Sequence, residues 1–519
     1  MKSIKRTFSK NRFFFILLFI YFLLNLNFLT NFPFVHSDES WLSGLSRNIL
    51  ETKDFSSTET FFDLYLRNPH ALKIIFHSIQ IVFIKLLGYN IFSVRLISLL
   101  FGSLTLYYFY KLCNEIFHSK RKSIIASIFL AMDIQFIYSS HFARQEIVIL
   151  TFYIYALYFF YKNIDKHNIK QDLILGCIIG LSIGIHPNSF IIALPFVSIY
   201  LYHILFTKKL NCTNLIIYSF ILLVFASIFV LLSLCFDPNF IHNYFSYGKQ
   251  FKVHYSFFQK LSEFNYFYVK LYSGISGTYY TPNIKLQFCI FISSFIITII
   301  KLTITKDKIK RQQITPILLS IVFLNIGIIT IGRYNQTSII FQFPLFYILI
   351  TYLLENLLAS YKYIITAILA LLIATNTISN LYPYISGDYN DYLNNISKTV
   401  KKADVVLANL NSEFYFKNGK LHDYRNLALL KENNMEFKDY VYKYNIKFII
   451  YSEEMDVIYS ESPRWDALYG NLSYYRDMKY FLENNCTLVN EFSDKTYGNR
   501  IARYVNEKDW TVRIYKIQY

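Results

Sequence analysis

Charged residues are scarce in this chain. Asp, Glu, Lys and Arg make up 17% of 519 residues, against 54% hydrophobic ones, and the mean hydropathy is +0.30. A soluble globular domain needs more charge on its surface, so that class is excluded for most of the length. The six cysteines, Cys113, Cys177, Cys212, Cys235, Cys289 and Cys486, form no CxxC pair. Neither a zinc site nor a disulfide framework is implied. No internal repeat and no low-complexity linker interrupts the sequence, and no small-residue cleavage site follows the first apolar run. That run, 13–30, therefore reads as a retained first span behind a basic start.

What is present is a series of long apolar runs from Phe13 to Tyr382. They predict about eleven transmembrane helices near 13–30, 91–117, 123–140, 147–163, 173–186, 188–206, 215–236, 286–304, 314–332, 337–357 and 361–382. After Tyr382 the runs shrink to strand length. Residues 383–519 hold 19 basic and 19 acidic residues by count, so the +18 net charge lies entirely in the preceding part, where 52 − 19 = 33 basic residues face 34 − 19 = 15 acidic ones. A nucleic-acid surface would instead place a basic patch on a folded domain. Here the excess sits in short loops: Lys120 to Lys122, Lys162 to Lys170, Lys208-Lys209, Lys306 to Arg311 and Lys362. With a cytoplasmic N-terminus, all of these fall on the inside, as the positive-inside rule requires. The outside then receives 31–90, the turns at 141–146, 186–187 and 333–336, the loop 237–285 and the tail. The stretch Leu72 to Leu87 is apolar enough to span, but counting it would turn the basic loops outward. It is read as an interfacial helix interrupted by Lys73, His77, Gln80 and Lys85. In the tail, 404–409, 447–451, 487–492 and 511–517 have strand character, which predicts a small extracytoplasmic α/β domain.

Polar residues collect at the outer ends of spans. His36-Ser37-Asp38-Glu39 follows the first one. Adjacent carboxylates at a membrane face fit either a functional pair or a dipole-compensating cap on the helix that follows. Asn68-Pro69-His70, Arg95, Arg144-Gln145-Glu146, Gly184 to Pro187, and Arg333-Tyr334 come next. Arginine at outer ends runs against the charge rule, and a lone one is commonly a snorkelling side chain. Three of them on one side suit a phosphate or pyrophosphate. A carboxylate beside such a pocket can take the proton of an attacking hydroxyl while cations stabilise charge on a phosphate leaving group.

In this order the motifs resemble those of the GT-C glycosyltransferases, in particular the group of protein O-mannosyltransferases and lipid A aminoarabinose transferases. The matching elements are Asp38-Glu39, the helix after it, Gly88, Arg95-Leu96, Arg144-Gln145-Glu146, the Gly-x-x-x-Gly-x-His-Pro pattern from Gly180 to Pro187, and Arg333, Tyr334 and Pro344. The His-Pro-Pro-Leu element of the family reads Asn68-Pro69-His70-Ala71-Leu72 here, and no Trp-Trp-Asp motif is present. The resemblance implies a mainly α GT-C transmembrane catalytic domain over 1–382, with an outer catalytic loop at 31–90, and an appended domain over 383–519. It implies Asp38 as general base with Glu39 beside it. Arg95, Arg144, Arg333 and His186 are the implied donor-phosphate ligands, and His36, His70, Glu146 and Tyr334 further pocket residues. The donor is expected to be a polyprenyl-phosphate sugar, the acceptor a glycan, lipid or protein hydroxyl, and the reaction inverting. No ligand cluster demands a metal, although His36, His70 and Glu146 leave a divalent cation open. A transporter or lipid flippase is the main alternative, an O-antigen-ligase-type polymerase and an inactive receptor lesser ones. A transporter would show repeated halves and mid-membrane charges.

Overall fold

A backbone in hydrocarbon must satisfy its own polar groups, so long apolar runs become helices. The computed structural model describes residues 11–65, 67–250, 256–273, 279–331 and 336–519. All eleven expected spans fall on helices. Among the described residues, eight helices are long and apolar enough to cross a membrane, and a bent pair raises the number to nine. The other two, Arg12–Asn27 and Ile169–Ile183, have 16 and 15 residues, shorter than the expected spans. The chain is a multi-pass membrane protein.

The bent pair has an identifiable cause. Lys120–Ala131 and Ile134–His141 meet at 67°. Between them Asp133 starts the second helix afresh, accepting hydrogen bonds from the backbone of Gln135 and Phe136 at 2.8 and 3.1 Å. Tyr347 donates to the same carboxylate at 2.6 Å and so ties the break to the Phe343–Glu355 helix.

The Gly-x-x-x-Gly pattern has a packing role. Gly176, Gly180 and Gly184 face the Cys212–Phe236 helix, where a Cβ would meet Ile221, Phe225 and Phe229 at 2.7, 2.5 and 2.3 Å. Only hydrogen fits there, which lets the two helices approach closely.

Ile74–Leu87 is a 14-residue helix, too short to span unaided. It packs against the Ser37–Thr52 helix and the long Ile91–Phe117 helix.

The C-terminal region holds five strands, β1 Val406–Ala408, β2 Leu421–Asp423, β3 Phe448–Ser452, β4 Cys486–Asp494 and β5 Trp510–Ile517. They form one mixed sheet in the order β2-β1-β3-β5-β4. Strand β1 pairs parallel with β2 and β3; β5 pairs antiparallel with β3 and β4. Strand β3 is buried along its whole length, whereas edge strand β4 is largely open. Four strands match the expected segments, and β2, three residues long, had no alternation to reveal it.

This region is seated on the first long loop of the membrane part. The backbone of Asp423 donates to the Phe61 carbonyl at 3.1 Å. Buried Arg47 pairs with buried Glu413, and Asp63 bonds His422 at 2.5 Å and Tyr440 at 2.8 Å.

Candidate active site

The site is built on the first turn of the Ser37–Thr52 helix. His36 is its N-cap: the ring Nδ1 accepts from the Asp38 backbone at 2.9 Å, while Glu39 accepts from the His36 backbone at 3.0 Å. This reciprocal capping box fixes the helix start. Consecutive residues on a helix diverge by about 100°, so the two carboxylates take different surroundings.

Glu39 turns inward and is fully buried. Its oxygens accept from Arg95 Nε and Nη2, both at 2.8 Å, and from the Ala143 backbone at 3.0 Å. The remaining Arg95 donors go to the carbonyls of Leu29, Pro33 and Phe34. Arg95 is itself fully buried. The phosphate role expected of Arg95 does not fit this geometry, because every N–H is already used inside the protein. Glu39 likewise has no face toward a substrate. The pair holds the cap and the 29–34 segment in place.

Asp38 turns outward, with its side chain 23% exposed. It meets Arg144 Nη1 at 3.1 Å and accepts from the Tyr279 hydroxyl at 2.5 Å. The His36 ring stacks on Tyr279 at 4.6 Å and lies 3.8 Å from the carboxylate. Burial alone would raise the Asp38 pKa, but Arg144, then His36 and Tyr279, outweigh it and hold the carboxyl at about 2. Burial lowers His36 to about 4, so the ring is neutral at physiological pH.

Arg144 bridges two acids, with Nη2 3.3 Å from Glu146. Glu146 also accepts from Thr337 at 2.7 Å. The neighbouring Ser338 takes a 3.4 Å bond from Asn188, whose backbone in turn donates to His186 Nδ1 at 3.0 Å. His186 thus caps the turn before Ser189–Tyr202 and is linked toward Glu146 and Arg144 through this chain of contacts. Arg333 and Tyr334 lie outside the described residues. His70 stands apart, in a cleft lined by Leu45 and Ile49 of the Ser37–Thr52 helix. Among the described residues, no group of three His, Cys, Asp or Glu side chains is arranged to hold a metal ion, so His36, His70 and Glu146 do not form the ligand set left open by the sequence.

Several residues of the site carried no expectation. Lys73, half-buried, has no ion pair or hydrogen bond among the described residues. Burial, then repulsion from Arg144 and Arg67, lowers its ammonium to about 8, and Asp38 and Glu59 act on it in the opposite sense. Trp41 donates to Glu59 at 2.5 Å, and Arg67 and Arg425 lie over its ring at 4.9 and 5.1 Å. Arg425 belongs to the C-terminal region, and its charge reaches Asp38. In the sequence, Lys73 is a break in an apolar run, whereas Tyr279 and Arg425 have no local signal at all.

A helical membrane body carries an Asp-Glu pair at the opening of its first long loop, and an appended domain is seated on that loop. Residues 74–233 match the family model of dolichyl-phosphate-mannose-protein mannosyltransferases. Among solved structures, ArnT from Cupriavidus metallidurans bound to undecaprenyl phosphate is similar over 98% of both chains, with TM-score 0.57 and 12% identity. AglB, an oligosaccharyltransferase from Archaeoglobus fulgidus in complex with an inhibitory peptide and a dolichol-phosphate, is similar over 95% of this chain and 74% of its own, with TM-score 0.53 and 14% identity. No curated protein matches the chain by sequence. The fold is that of the GT-C superfamily, and the chain resembles ArnT and the protein mannosyltransferases within it.

Proposed function

We propose that this chain is a membrane glycosyltransferase that moves a sugar from a polyprenyl-phosphate carrier to an acceptor hydroxyl. The observation that carries the reading is Lys73, a half-buried cation without a counter-ion among the described residues, within electrostatic reach of Arg144 and Asp38. A buried charge needs a partner, and a lipid phosphate supplies one. ArnT bound to undecaprenyl phosphate and AglB bound to dolichol-phosphate are consistent with such a ligand.

In this reading Asp38 is the general base. The acceptor hydroxyl attacks the anomeric carbon as its proton passes to Asp38. The bond from that carbon to the phosphate oxygen breaks, and its electron pair stays on the phosphate, where Lys73 and Arg144 stabilise it. One displacement inverts the anomeric centre. A carboxyl held at about 2 is a weak base, and Arg144 is the strongest of the groups holding it there. A phosphate that draws Arg144 toward itself therefore raises the basicity of Asp38, so donor binding prepares the base. Glu39, Arg95 and His36 position it.

In this reading the N-terminus is cytoplasmic, and Asp38 and residues 383–519 lie outside, in line with the basic short loops and the positive-inside rule. The acceptor is then a hydroxyl on the outer face, where lipid-linked sugars rather than nucleotide sugars are to hand. Full-length protein in nanodiscs, titrated with undecaprenyl phosphate and assayed for transfer, tests the scheme. Asp38→Asn should bind the lipid and lose transfer, and Lys73→Ala should lose lipid affinity. Wild-type affinity in both Lys73→Ala and Arg144→Ala would remove the phosphate pocket from this place.

A further inference from the structure

Tyr279 takes no part in the scheme above, yet its hydroxyl stands against the base. It donates to Asp38 Oδ2 at 2.5 Å, the carboxylate oxygen that also meets Arg144 Nη1 at 3.1 Å. Oδ2 thus faces Arg144 and the phosphate pocket of that scheme, whereas Oδ1 lies toward the His36 ring, 3.8 Å from Nδ1. The Tyr279 ring is held on three sides. It stacks on His36 with centroids 4.6 Å apart and planes 13° from parallel, meets Phe142 edge-on at 6.3 Å, and has the Arg144 guanidinium 5.1 Å away. His36 is itself fixed as the helix cap. Burial raises the phenol well above its usual range; Arg144 opposes this and the Asp38 charge adds to it. The proton therefore stays on the phenol, which can donate to Asp38 but cannot replace it as base. A phenol O–H and a sugar O–H approach a carboxylate as the same kind of donor. An attacking hydroxyl must come within about 2.6–3.2 Å of its general base, and the phenol occupies such a place.

We infer that Tyr279 is a specificity residue: its hydroxyl stands in for that of the acceptor and keeps water off the base until the acceptor displaces it. The inference rests on the glycosyltransferase reading. A sugar on a phosphate leaving group can be attacked by water as well as by an acceptor, and the Asp38 side chain is 23% exposed. A water at Oδ2 would pass a proton to Asp38 as its oxygen bonded the anomeric carbon. The bond from that carbon to the phosphate would break with its electron pair left on the phosphate, and the sugar would be lost. Enzymes prevent such side reactions by excluding water from the site. A bound acceptor has binding energy elsewhere to set against the Tyr279–Asp38 hydrogen bond, and a lone water has none. Displacing the phenol also removes one of the contacts that hold Asp38 acidic, so the base strengthens as the acceptor arrives.

The test needs no acceptor. Full-length protein in nanodiscs is incubated with undecaprenyl-phosphate mannose, glucose, galactose and arabinose, and released sugar is measured over time. The thermal midpoint is measured alongside, so that only folded variants are compared. Tyr279→Phe removes one oxygen and leaves a water-sized space against a carboxylate, which a water fills. It should release sugar about tenfold faster than wild type, the factor set by one good hydrogen bond. Tyr279→Leu, which also gives up the stacking on His36, should release it faster too. Adding Asp38→Asn to Tyr279→Phe should abolish the gain, because the water then has no base. Release no faster than wild type in both single variants means that the phenol merely positions Asp38, and it overturns the inference. A gain that survives Asp38→Asn overturns it as well. If neither wild type nor any variant cleaves any of the donors, the glycosyltransferase reading itself falls, and the inference with it.

Discussion

Replacing Arg95 by alanine would strand Glu39. The guanidinium makes five donations in the protein interior, two to Glu39 and one each to Leu29, Pro33 and Phe34. Its removal leaves a fully buried carboxylate without its counter-charge and three carbonyls short of a donor. Breaking a buried pair from one side costs about 3–5 kcal/mol, mostly from the uncompensated charge. Removing both charges at once, as in Glu39→Gln with Arg95→Met, costs less, because no buried charge is left uncompensated, although the single Gln oxygen can replace only one of the two Glu39 oxygens that accept from the His36 and Ala143 backbone. The assay is thermal unfolding of the full chain in nanodiscs, with undecaprenyl-phosphate affinity measured on the folded fraction. Arg95→Ala should unfold well below wild type, and the double variant should recover most of the difference. A single variant that unfolds at the wild-type temperature yet loses lipid affinity would refute the reasoning and return Arg95 to the phosphate.

Asp38→Asn should reduce transfer about 10²–10⁴-fold, the usual contribution of a general base, measured as single-turnover rate on preloaded donor. Arg144→Lys should weaken undecaprenyl-phosphate binding despite keeping the charge, because one ammonium cannot reach Asp38 and Glu146 as the guanidinium fork does. Gly180→Ala puts a methyl 2.5 Å from the Phe225 ring and should cost about 1–3 kcal/mol of stability, read as a lower thermal midpoint that Phe225→Leu partly restores. Burial raises Glu413 from 4.5 to about 8, with Arg47 opposing. The folded state then holds a proton that the unfolded state has lost between those values, so stability falls as pH rises across that window, and Glu413→Gln should flatten the slope of midpoint against pH.

Much of the membrane part was legible because hydrocarbon imposes one rule on every span: Ile91–Phe117 falls where its apolar run predicts. The bend at Asp133 was not, since one cap residue inside an apolar run does not alter its hydropathy. At the site, Asp38-Glu39 was legible as a pair but not as two different residues. Their division of labour comes from helix rotation together with Arg95, 56 positions away from Glu39. Arg144 was legible as an arginine on the unexpected side. Lys73 was read only as a flaw in an apolar helix, because its lack of a counter-ion among the described residues is a property of the folded neighbourhood. Arg425 and Tyr279 reach Asp38 from distant segments, and no local pattern marks such convergence.

The Arg47–Glu413 pair joins residues 366 positions apart. The Ser37–Thr52 helix leaves the ribosome among the first elements of the chain, and its partner surface leaves near the end. Until then Arg47 has no Glu413, Asp63 has no His422, and the Trp41 face lacks Arg425. The loop bearing Asp38 is therefore completed only after every span has been inserted. A chain that stalls, truncates or threads one crossing wrongly delivers the C-terminal region late, never, or to the wrong side of the bilayer. Such a chain carries the acid but lacks the surface that closes over it, so correct insertion of the whole polypeptide is itself the condition for a finished site.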